Sequence, residues 1–332
     1  MRVLLIGRSH ARETERTLDR LLRRDGHDVV FIDDRRLRQL AGRRAMNLWL
    51  RLRAAAHRPD RVIVAKPLDV YPDVLGRLRE RAPITMWYRD IRVPPDPNIV
   101  ARAREVSVLF LTPGGQAAEF EALGVARAEW LPDAADPERD HPAEPVEEWR
   151  CDVAFIGNGY DAARAAFLAR LARRFRVRVW GSGWERWGAE VGWMGAPVYG
   201  GDFARVCASA AVVLGIEPSY QAEARVWGYH SNRTFKVLAS AGFYLAPAAP
   251  GMRSLLRDGG HCVFYDDEAD AEARIEEYLG RPDDRERIRR AGHDFVLAHH
   301  TYAHRLENLL TGAPFRNPLE GAAAQTSRTE ER

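Results

Sequence analysis

The chain has 332 residues, 46% of them hydrophobic and 29% charged, enough for two packed cores because single domains cluster near about 100 to 200 residues. Ordinary amounts of glycine (26) and proline (19), with only Cys151, Cys207 and Cys262 as widely spaced cysteines, exclude collagen-like, disordered and disulfide-scaffold classes and fit a reducing cytosol. A net charge of +3 implies no nucleic-acid partner, and the arginine excess, with Lys66 and Lys236 the only lysines among 50 basic residues, is what a high-GC coding sequence gives without any function.

In chain order, the first elements are a strand over 3–6, the loop Gly7-Arg8-Ser9-His10, a charged helix over 13–24 and a strand over 28–32, which together make a βαβ unit. The apolar run at 3–6 is too short for a signal-peptide core, and no later run reaches the roughly 20 apolar residues of a membrane span, so the expectation is a soluble cytoplasmic protein. Residues 35–58 mix many arginines with Met46, Leu48, Trp49 and Leu52. This amphipathic run reads in two ways: a helix covering the sheet with Ala45, Leu48, Trp49 and Leu52 inward, or a peripheral contact with anionic lipid or a phosphorylated acceptor. The core-packing reading has the fuller helical periodicity.

Further β-like runs at 61–65, 84–88 and 106–111, separated by helical patterns at 74–81 and 116–123, predict a parallel doubly wound sheet. The proline- and acid-rich stretch 132–149 lacks periodicity and reads as linker, which sets domains at 1–140 and 151–312 with 141–150 between them. Strands over 152–156, 176–180, 211–216, 243–246 and 262–265, with helices over 162–173, 233–241 and 269–279, then restart a Rossmann-like sheet. After Thr311 the composition turns to small and charged residues, so 313–332 reads as a disordered tail. The fold class is α/β, with two doubly wound Rossmann-like domains facing across a cleft, and a ligand is expected there.

Gly157-Asn158-Gly159 lies between a strand and a helix, where backbone N–H groups and the helix dipole suit a phosphate. The third glycine of a dinucleotide fingerprint is missing, since residue 162 is alanine, which disfavours a nicotinamide oxidoreductase and leaves a plain turn as the alternative. In the segment 229–242, Ser231 or Asn232 suits an N-cap, Gly242 a stop, and Arg233 and Lys236 lie three apart on the first helical turn. Cations at a positive helix end point to a phosphate ligand, unless they are simply solvated.

At this segment the sequence resembles the CgeB-like (spore maturation type) glycosyltransferases, a group with the GT-B fold. The resemblance rests on Arg233-Thr234-Phe235-Lys236-Val237-Leu238-Ala239-Ser240-Ala241-Gly242-Phe243. Pro250-Gly251, Val263-Phe264-Tyr265-Asp266-Asp267 and His300-Thr301-Tyr302-Ala303-His304-Arg305 follow in order. Upstream, Asp152 to Gly157 with Arg164, the run Val179-Trp180-Gly181-Ser182-Gly183-Trp184, and Trp87-Tyr88-Arg89-Asp90 also fit. The resemblance implies transfer of a sugar from a nucleotide-diphosphate donor to a hydroxyl-bearing acceptor, without metal or other cofactor. The donor site on the second domain is expected to use Gly157, Asn158, Arg164, Gly181, Ser231, Asn232, Arg233, Lys236 and Gly251. One departure stands out: Lys236 replaces the group's common glutamate and Gly228 stands eight residues earlier, so the two-glutamate signature of retaining relatives is absent. Lys236 then either neutralises the departing diphosphate or marks lost activity, and the alternative function is a non-catalytic sugar-nucleotide-binding or assembly protein of a surface-coat pathway.

On the first domain, His10 in the loop after the first strand is the candidate general base if the enzyme inverts the anomeric centre, because the ordinary titration range of imidazole suits that work; a polar surface histidine is the alternative reading, and Asp90 competes for the role. His300 and His304 are four apart, but a third ligand and an HExxH-like base are missing, so they read as the start of the terminal helix rather than a metal site. Asp33-Asp34 and Asp266-Asp267 read as turn-forming acids at strand ends.

Overall fold

A computed structural model describes residues 1–10, 14–66, 69–217, 228 and 230–320. The first part of the chain runs β1 (Arg2–Ile6), α1 (Thr14–Arg24), β2 (Asp28–Ile32), α2 (Asp34–His57), β3 (Arg61–Ala65), α3 (Pro72–Arg79), β4 (Ile84–Tyr88), α4 (Pro97–Ala103), β5 (Val108–Leu111), α5 (Ala117–Ala122) and β6 (Ala128–Trp130). The second part runs β7 (Cys151–Ile156), α6 (Ala162–Ala172), β8 (Val177–Trp180), α7 (Gly188–Val191), α8 (Gly201–Ser209), β9 (Ala210–Leu214), α9 (Arg233–Ala239), β10 (Tyr244–Pro247), α10 (Pro250–Leu255), β11 (Val263–Tyr265), α11 (Glu268–Leu279), α12 (Pro282–His299) and α13 (Tyr302–Thr311).

Both sheets are parallel and share one strand order. The first is β2-β1-β3-β4-β5-β6 and the second is β11-β10-β9-β7-β8, which, numbered from its own first strand, is the same 2-1-3-4-5 order. β1 pairs with β2 on one side, Leu4 opposite Val30, and with β3 on the other, Leu4 opposite Val62. The strands read as unbroken apolar runs because helices cover both faces of such sheets; Val3, Leu4, Leu5 and Ile6 are fully buried, as are all five residues of β4. This order reverses direction between β1 and β3, and again between β7 and β9. At such a switch point the loops leaving neighbouring strands diverge and leave a crevice.

The chain forms two compact units. One comprises the described residues up to Pro132, Gly228 and Tyr302–Arg316; the other comprises those from Asp133 to Thr301 apart from Gly228, and from Asn317 on. The expected limits differ from this division in two places. Residues 133–150 belong to the second unit and do not hang free: Ala134, Ala135, Asp136 and Asp140 are buried, and the Ala135 N–H donates to the His300 carbonyl at 2.9 Å. At the other end, α13 packs in the first unit. The Thr85 hydroxyl donates to the Leu309 carbonyl at 2.7 Å, and Tyr302 meets Trp87 edge-on at 6.1 Å between centroids. The tail expectation holds no further in the described part: Phe315 packs on Trp130 at 5.4 Å, and Asn317 donates to the Ser254 carbonyl at 2.7 Å. Residues 321–332 lie outside the described residues.

α2 corrects the core-packing reading of 35–58. It bends at Gly42 (φ 80°, ψ 163°), a conformation glycine tolerates, and turns Met46, Asn47, Leu50 and Ala54 inward. Ala45, Leu48, Trp49 and Leu52 all face outward. Asn47 decides the rotation: its amide nitrogen donates to the Asp69 carbonyl at 3.1 Å and its oxygen accepts from Tyr71 N–H at 2.8 Å, satisfying backbone groups of the β3–α3 loop.

Candidate functional site

In the second unit, the loops after β7 and β8 lock onto each other. Gly157 N–H donates to the Trp180 carbonyl at 2.8 Å, Gly159 N–H to the Ser182 carbonyl at 2.9 Å, and the Trp184 indole to the Gly157 carbonyl at 2.8 Å. Gly181, at φ 152°, sits so close that an added Cβ would lie 1.9 Å from the Gly157 oxygen. An added Cβ at Gly159 would meet the Gly183 oxygen at 2.6 Å and one at Gly157 the Arg233 guanidinium and Phe155 ring at 2.8 Å, so close packing explains both glycines, and their N–H groups are already spent. The plain-turn alternative accounts for them.

Arg233 has a structural role at the strand ends. It is 9% exposed, and its two Nη atoms donate to the carbonyls of Ile156 (2.7 Å) and Ile216 (3.1 Å), bridging the chain just past β7 and β9 at the switch point. Arg164, also buried, donates to the Asn158 carbonyl at 2.9 Å and to the same Ile216 carbonyl at 2.8 Å. Both guanidiniums lie over the Phe155 ring, at 4.9 and 5.1 Å. Hydrogen bonds to neutral carbonyls satisfy the two Arg233 Nη groups but not its buried Nε, and they leave the charge on the guanidinium, so the carboxyl edge of this sheet holds a buried cation with Glu217 lining the same cavity.

The remaining expected residues gather around α9. The Ser231 hydroxyl accepts from Arg233 N–H at 3.3 Å, whereas Asn232 is exposed and makes no capping bond, so serine is the cap. Gly251 is buried in the first turn of α10. This narrow cavity past the ends of β9 and β10 has Glu217, Ser231, Arg233, Thr234 and Tyr244 among its lining residues. Lys236 is half-buried and forms no ion pair among the described residues. Its neighbour is Asp140, whose carboxyl is raised by burial while the Lys236 charge pulls the other way.

The first unit has a different carboxyl edge. Glu15 of α1 is fully buried under the β1 and β3 ends, where a Cβ on Gly7 would meet its Cγ at 2.7 Å and the Ala65 oxygen at 3.1 Å. Arg89, after β4, stands 3.6 Å from that carboxylate and bonds the Thr14 hydroxyl. Lys66, in a left-handed conformation (φ 49°) at the end of β3, grips Asp90 at 2.6 Å. His10 is exposed in the loop after β1. Asp33 caps α2 through Arg36 N–H at 2.8 Å, and Asp267 caps α11 through Asp270 N–H at 2.8 Å, as turn-forming acids should. Asp34 is buried beside Asp69, and burial raises its carboxyl to about 6.

Sequence reasoning missed Lys66, although a lysine at a strand end in so arginine-rich a chain was a usable signal; Glu15 gave none, because a helical glutamate is ordinarily solvated. His300 and His304 do not share a helix: His300 ends α12 and His304 lies on α13. Among the described residues no three His, Cys, Asp or Glu side chains are grouped to hold a metal.

Residues 164–311 match the sequence model of the family described as glycosyl transferase-like. No curated protein sequence matches the chain. Among solved structures, sucrose-phosphate synthase from Thermosynechococcus elongatus is similar at a TM-score of 0.69 and 13% identity, over 93% of this chain and 98% of that one. A Rickettsia africae glycosyltransferase reaches 0.66 at 9% identity, over 92% and 96%. Anabaena HepE in complex with UDP and glucose reaches 0.61 at 12% identity, over 92% and 97%. Two parallel sheets flanked by helices in this arrangement are the GT-B fold, and on it residues 164–311 carry the sequence of a glycosyl transferase-like segment.

Proposed function

We propose that the protein is a glycosyltransferase that moves a sugar from a nucleotide-diphosphate donor to a hydroxyl-bearing acceptor, of the CgeB-like kind. The observation that carries this reading is the glycosyl transferase-like match over 164–311 on a GT-B chain. The donor is assigned to the second unit, its diphosphate near Ser231 and Lys236, with the fixed charge of Arg233 behind them. Developing negative charge on the leaving diphosphate is met there by preorganised cations, without a metal or redox cofactor. On the first unit His10 takes the acceptor proton, while the Lys66–Asp90 pair offers a donor and an acceptor to sugar hydroxyls. Three buried free thiols suit a reducing cytoplasm.

Because HepE has been solved with UDP-glucose, UDP-sugars are the first donors to try, followed by GDP- and TDP-sugars. Thermal shift with each, then turnover against extracted acceptors with and without EDTA, tests the reading. Binding with turnover that EDTA leaves unchanged is the expected result. A second reading, a sugar-nucleotide-binding assembly protein, is favoured by Lys236 in the usual glutamate position and by the occupied loop N–H groups; binding without turnover would select it. Stabilisation by NAD alone would refute both.

A further inference from the structure

The sugar-transfer site proposed above does not use the outward face of α2, which carries two unusual features together. Ala45, Leu48, Trp49, Leu52 and Ala56 are all exposed and recur at helical spacing, forming an apolar arc of roughly 100°. Leu48, Trp49 and Leu52 are 55%, 40% and 60% exposed, and Leu40, before the Gly42 bend, is 74% exposed. Arginines edge this arc: Arg44 and Arg51 on one side, and Arg53, 5.8 Å from the Trp49 ring, on the other, with Arg58 exposed at the C-cap. Arg44, Arg51 and Arg58 pair with no carboxylate among the described residues, and the sequence from Arg35 to Arg58 contains no Asp or Glu.

We propose that α2 docks the protein on the surface of an anionic phospholipid bilayer. The helix lies in the interface plane, with Leu48, Trp49 and Leu52 entering the headgroup–acyl boundary and the flanking guanidiniums meeting lipid phosphates. Arginine suits this edge because its stem packs on the apolar arc while its planar head reaches outward to phosphate. Charge complementarity selects this occupant over a second copy of the chain, since a two-fold contact would set arginine against arginine with no acid between Arg35 and Arg58 to neutralise them. A bilayer surface is also consistent with a second apolar stripe, Met46, Leu50 and Ala54, already holding the helix on its own unit. No helix among the described residues is long and apolar enough to cross a membrane, so the contact is a surface one.

Sedimentation of the full chain with phosphatidylcholine vesicles containing phosphatidylglycerol, against pure phosphatidylcholine vesicles, tests the docking separately from any transfer activity. Binding is expected on the anionic vesicles only and should weaken as salt rises. Arg44→Gln with Arg51→Gln should lower the partition coefficient about 30-fold, from two cations worth ~1 kcal/mol each at an anionic surface. Leu48→Ser with Leu52→Ser should lower it with little change in the thermal melt, because both side chains are more than half exposed. The proposal is overturned by equal binding to neutral vesicles, by no binding to anionic ones, or by variants that bind like the parent. A lipid-free dimer that Leu48→Ser dissolves would overturn it in favour of a second copy.

Discussion

The two sheets share a strand order but partner the buried charges at their switch points differently. Between β1 and β3 the first unit buries Glu15, and the neighbouring β2 end buries Asp34; between β7 and β9 the second unit buries Arg164 and Arg233. Topology dictates the crevice, and the side chain that plugs it dictates which ligands the edge favours. Glu15 has the Arg89 guanidinium 3.6 Å away, whereas Arg233 bonds neutral carbonyls and presents positive potential to an anion beside Glu217 in the same cavity. This contrast supports assigning a diphosphate to the second unit. It also separates two cations that the sequence treats alike: Arg233 holds the strand ends, and Lys236 makes no such bonds.

The most severe way to break the second edge is Gly181→Ala. A Cβ 1.9 Å from the Gly157 oxygen, at φ 152°, forces the two loops apart, and a loss of more than about 4 kcal/mol in chemical denaturation is expected. Next comes Arg233→Ala, which leaves the Ile156 and Ile216 carbonyls without these donors and should cost about 3 kcal/mol of stability, measured by urea unfolding. Its melt staying at the parent value would show that the guanidinium is not a structural bridge. Lys236→Ala should do the reverse, leaving the melt in place while weakening nucleotide-diphosphate binding by about 1.5 to 2 kcal/mol in calorimetry, with the bare nucleoside unaffected. Equal losses for nucleoside and nucleotide would remove Lys236 from the phosphate.

The smallest effect sharpens the first edge. Asp34 is raised to about 6 by burial, above its ordinary value of 3.8, so the folded state holds a proton that the unfolded state releases between those values. Stability should therefore fall as pH rises through that window, and the full cost is present above about 6. Asp34→Asn, which keeps an acceptor for Asp69 N–H, should flatten this slope and stabilise the protein at neutral pH by about 1 to 2 kcal/mol. An unchanged pH slope in denaturation would show that Asp34 does not carry it.

What the sequence by itself determined is the alternation of elements: the strand runs at 61–65 and 84–88 match β3 and β4, and the restart at Asp152 reproduces the second sheet, because continuous burial on both faces requires apolar runs that are visible in one dimension. The carboxyl-edge residues followed from the same alternation, since loops after strands must collect there. Their roles did not follow. Helical periodicity offered α2 two apolar stripes, and only Asn47 bonding the β3–α3 loop turned Met46 inward and Trp49 out. Spacing placed Arg233 beside Lys236, yet the carbonyls of Ile156 and Ile216 claimed one guanidinium and left the ammonium without an ion pair among the described residues. The membership of α13 in the first unit was equally hidden, because it rests on a hydrogen bond between Thr85 and Leu309, residues 224 positions apart. Periodicity records which side of an element is apolar; which partner satisfies a buried polar group is decided only when distant segments meet.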